Sequence, residues 1–359
     1  MGWTRTNGTE HRATFFSPTH SGAHATLHVR VAPHWVKLLY NYPSDFKEPV
    51  IPLTQEQRSL LTRGMVALAA VFVVTLVIGT FNDLPIAQAI YNPGNPVVIF
   101  LSSMGLLPMV YPVCLLLGTL VQRSLASNKP PVARFAGAAV CALLALVFGA
   151  LITRATLSML DGFGGLVGAE PPETVRMAIG AVVGGGLCAV GYGAGKANDA
   201  KDLARRVIMV IVVMLVSFAL VEIVKSIMAR PRPRTLFAGY EGLEFCPWYS
   251  KFSGAQGFMD TFGIGKDSFK SFPSGHSLQA AAFLTAFYGL SIVYPSLRSK
   301  LGIALGIEVV YAVVVMACRM ILGAHFLSDV SMGAFISVVA FLVLLAWDKR
   351  AGAKAPQER

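Results

Sequence analysis

The sequence predicts an all-α fold, a polytopic bundle of about eight membrane-spanning helices, from its composition, its apolar runs and its charge distribution. Of the 359 residues, 54% are hydrophobic and 14% are charged, and the mean hydropathy is +0.60. Apolar runs long enough to cross a bilayer recur along the chain. The formal net charge of +11 comes from Lys and Arg scattered between those runs. Because no basic domain gathers them, we expect no nucleic-acid partner.

The spans follow from the apolar runs in chain order. The fourth run is the least regular, because seven glycines between Gly180 and Gly195 lower its helix propensity. Small residues also permit close helix packing in lipid, so we retain it as a span. Residues 1–60 and 348–359 are predicted to be tails on either side of a transmembrane domain, 61–347. We expect spans at about 64–81, 97–121, 135–153, 177–195, 206–226, 275–296, 301–318 and 326–347.

The basic residues orient this bundle. With the N-terminus inside, 20 of the 30 Lys and Arg fall on the inner side. This bias predicts an integral plasma (inner) membrane protein with both termini in the cytoplasm. The long aromatic-rich segment 229–272 is then outside, where we expect it to anchor at the membrane surface. The inner segments are 1–63, 122–134, 196–206, 297–300 and 348–359.

Cysteines and most histidines give no metal or disulfide pattern. Five of the seven histidines lie in the polar N-terminal tail, which we interpret as solvated rather than as a metal site. Three cysteines lie inside apolar runs, and no CxxC pair occurs. The tail histidines are His11, His20, His24, His28 and His34, and the cysteines are Cys114, Cys141, Cys188, Cys246 and Cys318.

Three polar stretches interrupt the apolar pattern at the ends of spans. The fifth span ends in the stretch from Lys225 to Arg234, where Pro231 and Pro233 stop the helix. The sixth begins with Pro273-Ser274-Gly275-His276, and Arg319 to Asp329 joins the seventh to the eighth. Because successive spans alternate in direction, all these ends lie on the outer face.

The residues gathered there suit phosphate chemistry. Lys225, Arg232 and Arg319 supply cations, and the helix start at Ser274-Gly275 supplies N–H donors. His325 is the expected nucleophile, oriented by Asp329 four residues later on the same helix face. His276 is the expected general acid, which later activates water. The cations and N–H groups can stabilise the developing charge, so we expect neither a metal nor another cofactor.

Three ordered motifs, KxxxxxxRP from Lys225 to Pro233, PSGH from Pro273 to His276 and RxxxxxHxxxD from Arg319 to Asp329, resemble the signature of the type 2 phosphatidic acid phosphatase (PAP2) superfamily. The resemblance implies a metal-independent membrane phosphatase of lipid phosphates or diphosphates, with a phosphohistidine intermediate. It implies the same roles for the same residues. Two departures are visible: Cys318 replaces the usual serine before Arg319, and an extra helix pair near 135–195 precedes the motif-bearing spans.

Two other functions remain open at this point. A lipid phosphotransferase would pass the phosphoryl group from the same phosphohistidine to another lipid, and a transporter or scaffold would keep the fold without the chemistry. The motifs do not choose between substrates such as undecaprenyl diphosphate and phosphatidate. Beyond a lipid phosphate and the surrounding membrane lipids, no obligate protein partner is evident.

Overall fold

The computed structural model describes residues 2–5, 11–14, 52–160, 171–198, 200 and 202–353. The chain divides into two units, 1–45 and 46–359. In the first, strand β1 (Gly2–Arg5) pairs antiparallel with β2 (His11–Thr14). No strand was predicted here, because four-residue strands are too short to show a period. Four of the five tail histidines, His20, His24, His28 and His34, lie outside the described residues.

The second unit is the predicted helical bundle. Within the described residues, eight helical segments are long and apolar enough to cross a membrane, and each coincides with a predicted span. The chain is therefore an integral membrane protein. In chain order the helices are α1 (Gln55–Ile90), α2 (Pro96–Ser103), α3 (Leu107–Leu125), α4 (Pro131–Leu160), α5 (Glu173–Ala197), α6 (Leu203–Met228), α7 (Pro233–Leu236), α8 (Ala255–Phe262), α9 (Gly275–Ala280), α10 (Phe283–Val293), α11 (Leu301–Ile321) and α12 (Leu327–Ala353).

The extra helix pair, α4 and α5, is confirmed, and its glycines account for the way it packs. A Cβ at Gly191 of α5 would overlap the backbone of Leu115 on α3. A Cβ at Gly149 of α4 would overlap Gly180 of α5 in the same way. The glycines that lower helix propensity in the fourth span are therefore what allow three helices to approach closely.

The four motif-bearing helix ends converge at one end of the bundle, as predicted. The end of α6 and the start of α9 meet the turn between α11 and α12 there. The end of α1 joins them, since the Asn92 backbone N–H donates to the Ile321 carbonyl at 2.8 Å.

The segment between α6 and α9 is folded rather than extended. It contains α7, α8 and a short 3-10 helix, Lys266–Phe269. Leu243, Ala255 and Phe269 form a small hydrophobic core, and Phe252 and Phe258 pack against it. Its aromatic residues therefore also pack on one another, and are not only anchors at a membrane surface.

Candidate active site

His325 lies in the turn between α11 and α12, at the centre of the converging helix ends. The backbone N–H groups of Ala324 and His325 both donate to the Arg319 carbonyl, at 3.0 and 3.3 Å. In this turn the His325 side chain is buried, with 1% of the residue exposed.

The hydrogen bonds of the ring define which nitrogen is free to react. Nδ1 lies 2.7 Å from the carbonyl oxygen of Ser271, which can only accept, so Nδ1 carries the proton. Nε2 is then the unprotonated nitrogen, and Arg232 Nη1 points to it at 3.4 Å. The neutral ring therefore presents its lone pair towards a cation.

Burial lowers the pKa of His325 well below its ordinary value of 6.5, and the nearby cations of Arg232, Arg319 and Lys225 lower it further. Protonation would place another positive charge among these groups. The ring therefore stays neutral, and so nucleophilic, at physiological pH.

Asp329 does not hold His325 in the way that the sequence predicted. Its Oδ2 lies 3.9 Å from Nδ1 of the ring, beyond hydrogen-bond distance. Oδ2 instead accepts from the Ser271 hydroxyl at 2.5 Å and the Phe326 backbone N–H at 2.7 Å. Asp329 therefore orients His325 through Ser271, whose own carbonyl binds the ring.

Arg230 and Asp83 complete this arrangement, and the sequence prediction assigned neither a role. Arg230 is fully buried and donates to Asp329 Oδ1 at 2.6 Å and to Asp83 Oδ2 at 2.9 Å. Asp83 Oδ1 in turn accepts from the Ser328 backbone N–H at 2.9 Å. The signal was a lone carboxylate just after the first apolar run, which marks a partner for a buried cation.

Arg232 lies directly beside His325, the predicted nucleophile. Its Nη1 donates to the Ala324 carbonyl at 3.0 Å, and its Nε and Nη2 donate to Asp267 at 2.7 and 2.9 Å. Burial raises the pKa of Asp267, but Arg232 and Arg234 outweigh it and lower the pKa overall. Asp267, which sequence reasoning missed, thus fixes the guanidinium while one Nη2 hydrogen remains for a ligand.

Arg319 is buried and incompletely paired. Its Nη1 donates to the Ser102 hydroxyl at 3.1 Å, whereas its buried Nε has no hydrogen-bond partner among the described residues. A buried, unsatisfied guanidinium nitrogen is costly unless a ligand completes it. Cys318, which stands where the resembled motif usually has a serine, is also buried.

Lys225 faces the start of α9. Its ammonium donates to Glu222 at 2.5 Å, and a Cβ at Gly275 would lie 2.8 Å from its Nζ. Ser274 caps α9, because its hydroxyl accepts from the Ser277 backbone N–H at 3.3 Å. The absence of a side chain at Gly275 lets the ammonium lie against the positive end of the helix.

His276 follows on the first turn of α9. Its Nε2 lies 3.3 Å from the Met159 sulfur, at the end of α4. The ring lines a cavity of about 340 Å³ together with Lys225 and Gly275. A group bound between Lys225 and His325 would therefore have His276 at its side.

These contacts place all eight predicted site residues at one end of the bundle. Three cations and a capped helix start surround a neutral imidazole, an arrangement that can bind phosphate and attack it. The eight spans and these residues together describe an integral membrane protein with a candidate phosphate site.

Comparison with known proteins identifies the family. The model of the PAP2 superfamily matches residues 206–353, which include every motif residue, and the resemblance drawn from the motifs is confirmed. This part of the chain is similar to the PAP2 superfamily, and the apolar spans are consistent with its membrane branch. Members are generally phosphatases, so family membership indicates phosphatase activity. No curated protein and no solved structure matches the chain.

Proposed function

We propose that the protein is a metal-independent phosphatase of lipid phosphates or lipid diphosphates that works through a phosphohistidine intermediate. The observation that carries the proposal is the orientation of His325, whose unprotonated Nε2 points towards Arg232 while Nδ1–H donates to Ser271. A histidine that served only to pack or cap would not need its lone pair aimed into a group of cations.

In the first step His325 Nε2 forms a bond to phosphorus as the bond to the leaving oxygen breaks. Lys225, Arg232, Arg319 and the N–H groups at Gly275 bind the phosphoryl oxygens. His276, as the imidazolium paired with the bound phosphate anion, gives one proton to the leaving oxygen and becomes neutral; that oxygen would replace the Met159 sulfur as the acceptor from Nε2. In the second step His276 takes a proton from water, the water oxygen bonds to phosphorus, and the N–P bond breaks.

The substrate would reach this site from the outer leaflet. That orientation rests on the bias of Lys and Arg towards the opposite side of the bundle, with both termini in the cytoplasm. The apolar surroundings of the site favour a phosphate carried on a lipid rather than a free sugar or nucleotide phosphate.

The test is phosphate release from dioctanoyl phosphatidate and from farnesyl diphosphate by the detergent-solubilised protein. His325→Ala should abolish release. Quenching the wild-type protein in base with radiolabelled substrate should trap a base-stable, acid-labile protein label, and His325→Ala should give none. His276→Ala should form the phosphohistidine much faster from p-nitrophenyl phosphate, whose leaving group needs no acid, than from an alkyl phosphate. It should hydrolyse that intermediate slowly with either substrate, because the same residue activates water in the second step. Unchanged turnover in His325→Ala would refute the mechanism.

Two further outcomes separate the alternatives. Label recovered in a second lipid rather than as free phosphate would indicate a phosphotransferase. Stoichiometric phosphate binding without turnover by the wild-type protein would indicate a non-catalytic member of the same fold.

A further inference from the structure

A cavity of about 340 Å³ lies between α3, α4, α6 and α9. Its polar residues, Glu222, Lys225, His276 and Gln279, belong to the end of α6 and the start of α9. The other residues that line it are apolar apart from Gly275, which adjoins Lys225. The cavity is thus continuous with the candidate active site at one end and hydrocarbon-like elsewhere.

The apolar walls follow helix periodicity away from the site. On α4 the cavity is lined by Phe148, Leu151, Ile152 and Ala155, which are spaced as one helix face. On α6 the lining runs back from Lys225 to Leu215, ten residues that correspond to about 15 Å of helix. The cavity is therefore elongated along the bundle, parallel to the direction in which a lipid tail runs.

The α4 wall comes from the extra helix pair. The same face of α4 that provides Ala155 ends at Met159, whose sulfur contacts His276 at 3.3 Å. Leu151 is 48% exposed, so this wall also reaches the surface that faces lipid. A lipid in the bilayer could therefore slide a tail into the cavity without leaving the membrane.

We propose that this cavity binds one hydrocarbon tail of the lipid phosphate, and that α4 is the wall that selects its length and bulk. The proposal deepens the proposed function and rests on it for the identity of the phosphate site. Among the described residues that line the cavity, the only cation is Lys225, which also belongs to the candidate phosphate site. A tail in the cavity is therefore expected to belong to the lipid whose phosphate binds Lys225, rather than to a bulk lipid.

The test is a comparison of two non-hydrolysable ligands, dodecylphosphonate and methylphosphonate, measured by calorimetry on the detergent-solubilised full chain. Ala155→Phe fills the cavity, and Ala139→Phe makes the same change at an exposed position of the same helix. Ala155→Phe should weaken the binding of dodecylphosphonate about tenfold, which corresponds to the loss of one or two buried methylenes. The affinity for methylphosphonate should stay within about twofold of the wild-type value. Ala139→Phe controls for partition into micelles and should change neither.

The proposal would be overturned if Ala155→Phe and Ala139→Phe bound dodecylphosphonate with equal affinity. It would also be overturned if a well-folded Ala155→Phe bound dodecylphosphonate and methylphosphonate equally more weakly. If Ala155→Phe does not elute as a monodisperse protein, Ala155→Leu is judged by the same criteria. Phosphate release is scored separately with butyl phosphate. If phosphate is released but the variants bind both phosphonates equally well, the proposed phosphatase activity stands and the tail site is contradicted. If Ala155→Phe weakens only dodecylphosphonate but no phosphate is released, the tail site stands and the phosphatase activity is contradicted.

Discussion

His325 donates its Nδ1 proton to the backbone carbonyl of Ser271, at 2.7 Å. The acceptor is part of the main chain, so no substitution of the Ser271 side chain removes it. The Ser271 hydroxyl, in turn, donates to Asp329. The carboxylate therefore acts on the segment that holds the imidazole rather than on the imidazole itself.

This arrangement predicts that Ser271→Ala and Asp329→Asn differ in severity. Ser271→Ala keeps the carbonyl and loses one hydrogen bond worth about 1 kcal/mol, so kcat should fall only several-fold. Asp329→Asn removes the charge that faces buried Arg230 and should lower kcat by at least about a hundredfold. Phosphate-release kinetics on both variants check this order, and a Ser271→Ala as inactive as His325→Ala would contradict it.

The buried pairing of Arg230 with Asp83 and Asp329 predicts a large effect on stability. Arg230→Lys cannot reproduce the fork that reaches both carboxylates, because an ammonium is a single point donor. We expect a loss of about 3 kcal/mol or more, seen as a lower Tm in detergent. The matched control is Arg234→Lys, since Arg234 is 44% exposed where it pairs with Asp267 and should change Tm little. Similar Tm values for the two variants would show that the buried network contributes no more than a surface pair.

The lowered pKa of His325 predicts the pH dependence of catalysis. A depressed histidine pKa means that the ring remains neutral as pH falls through its ordinary value of 6.5 and protonates only below it. The acid limb of kcat/KM, which reports the free enzyme, should therefore have its midpoint below 6.5. The profile must be corrected for the substrate's own phosphate ionisation near pH 6. A corrected midpoint at or above 6.5 would mean that burial and the neighbouring cations do not lower the pKa of the ring.

The span pattern and the three motifs were readable from the sequence because each depends on local signals. Apolar runs of bilayer length locate the helices, and strict alternation brings their ends together. The extra helix pair was predicted for the same reason. The need for glycine in it is visible from the structure, for example in the close approach of Gly191 to Leu115.

The long-range polar partners were not readable, and one local inference was wrong. The spacing of His325 and Asp329 implied a shared helix face, but α12 begins at Leu327, so the imidazole precedes the helix. Asp83 is 147 residues from Arg230 in the chain and Asp267 is 35 residues from Arg232, and no spacing rule links either pair. Their roles depend on which surfaces meet in the folded bundle.

Two glycines near the site, Gly275 and Gly333, separate effects on binding from effects on folding. A Cβ at Gly275 would lie 2.8 Å from the Lys225 ammonium, the far end of a flexible side chain that can move away. Gly275→Ala should therefore fold normally and raise KM about tenfold, because a charge-assisted contact to phosphate is weakened. Gly257→Ala, where a Cβ meets nothing within 4 Å, is the matched control. By contrast, a Cβ at Gly333 would overlap the backbone of Ser274, which cannot move alone.

Gly333→Ala should therefore lower Tm as well as activity, since α9 and α12 must separate to accept the methyl group. Thermal unfolding and steady-state kinetics on the three variants distinguish the two effects. If Gly275→Ala instead lowers Tm with an unchanged KM, then the space beside Lys225 serves packing and not phosphate.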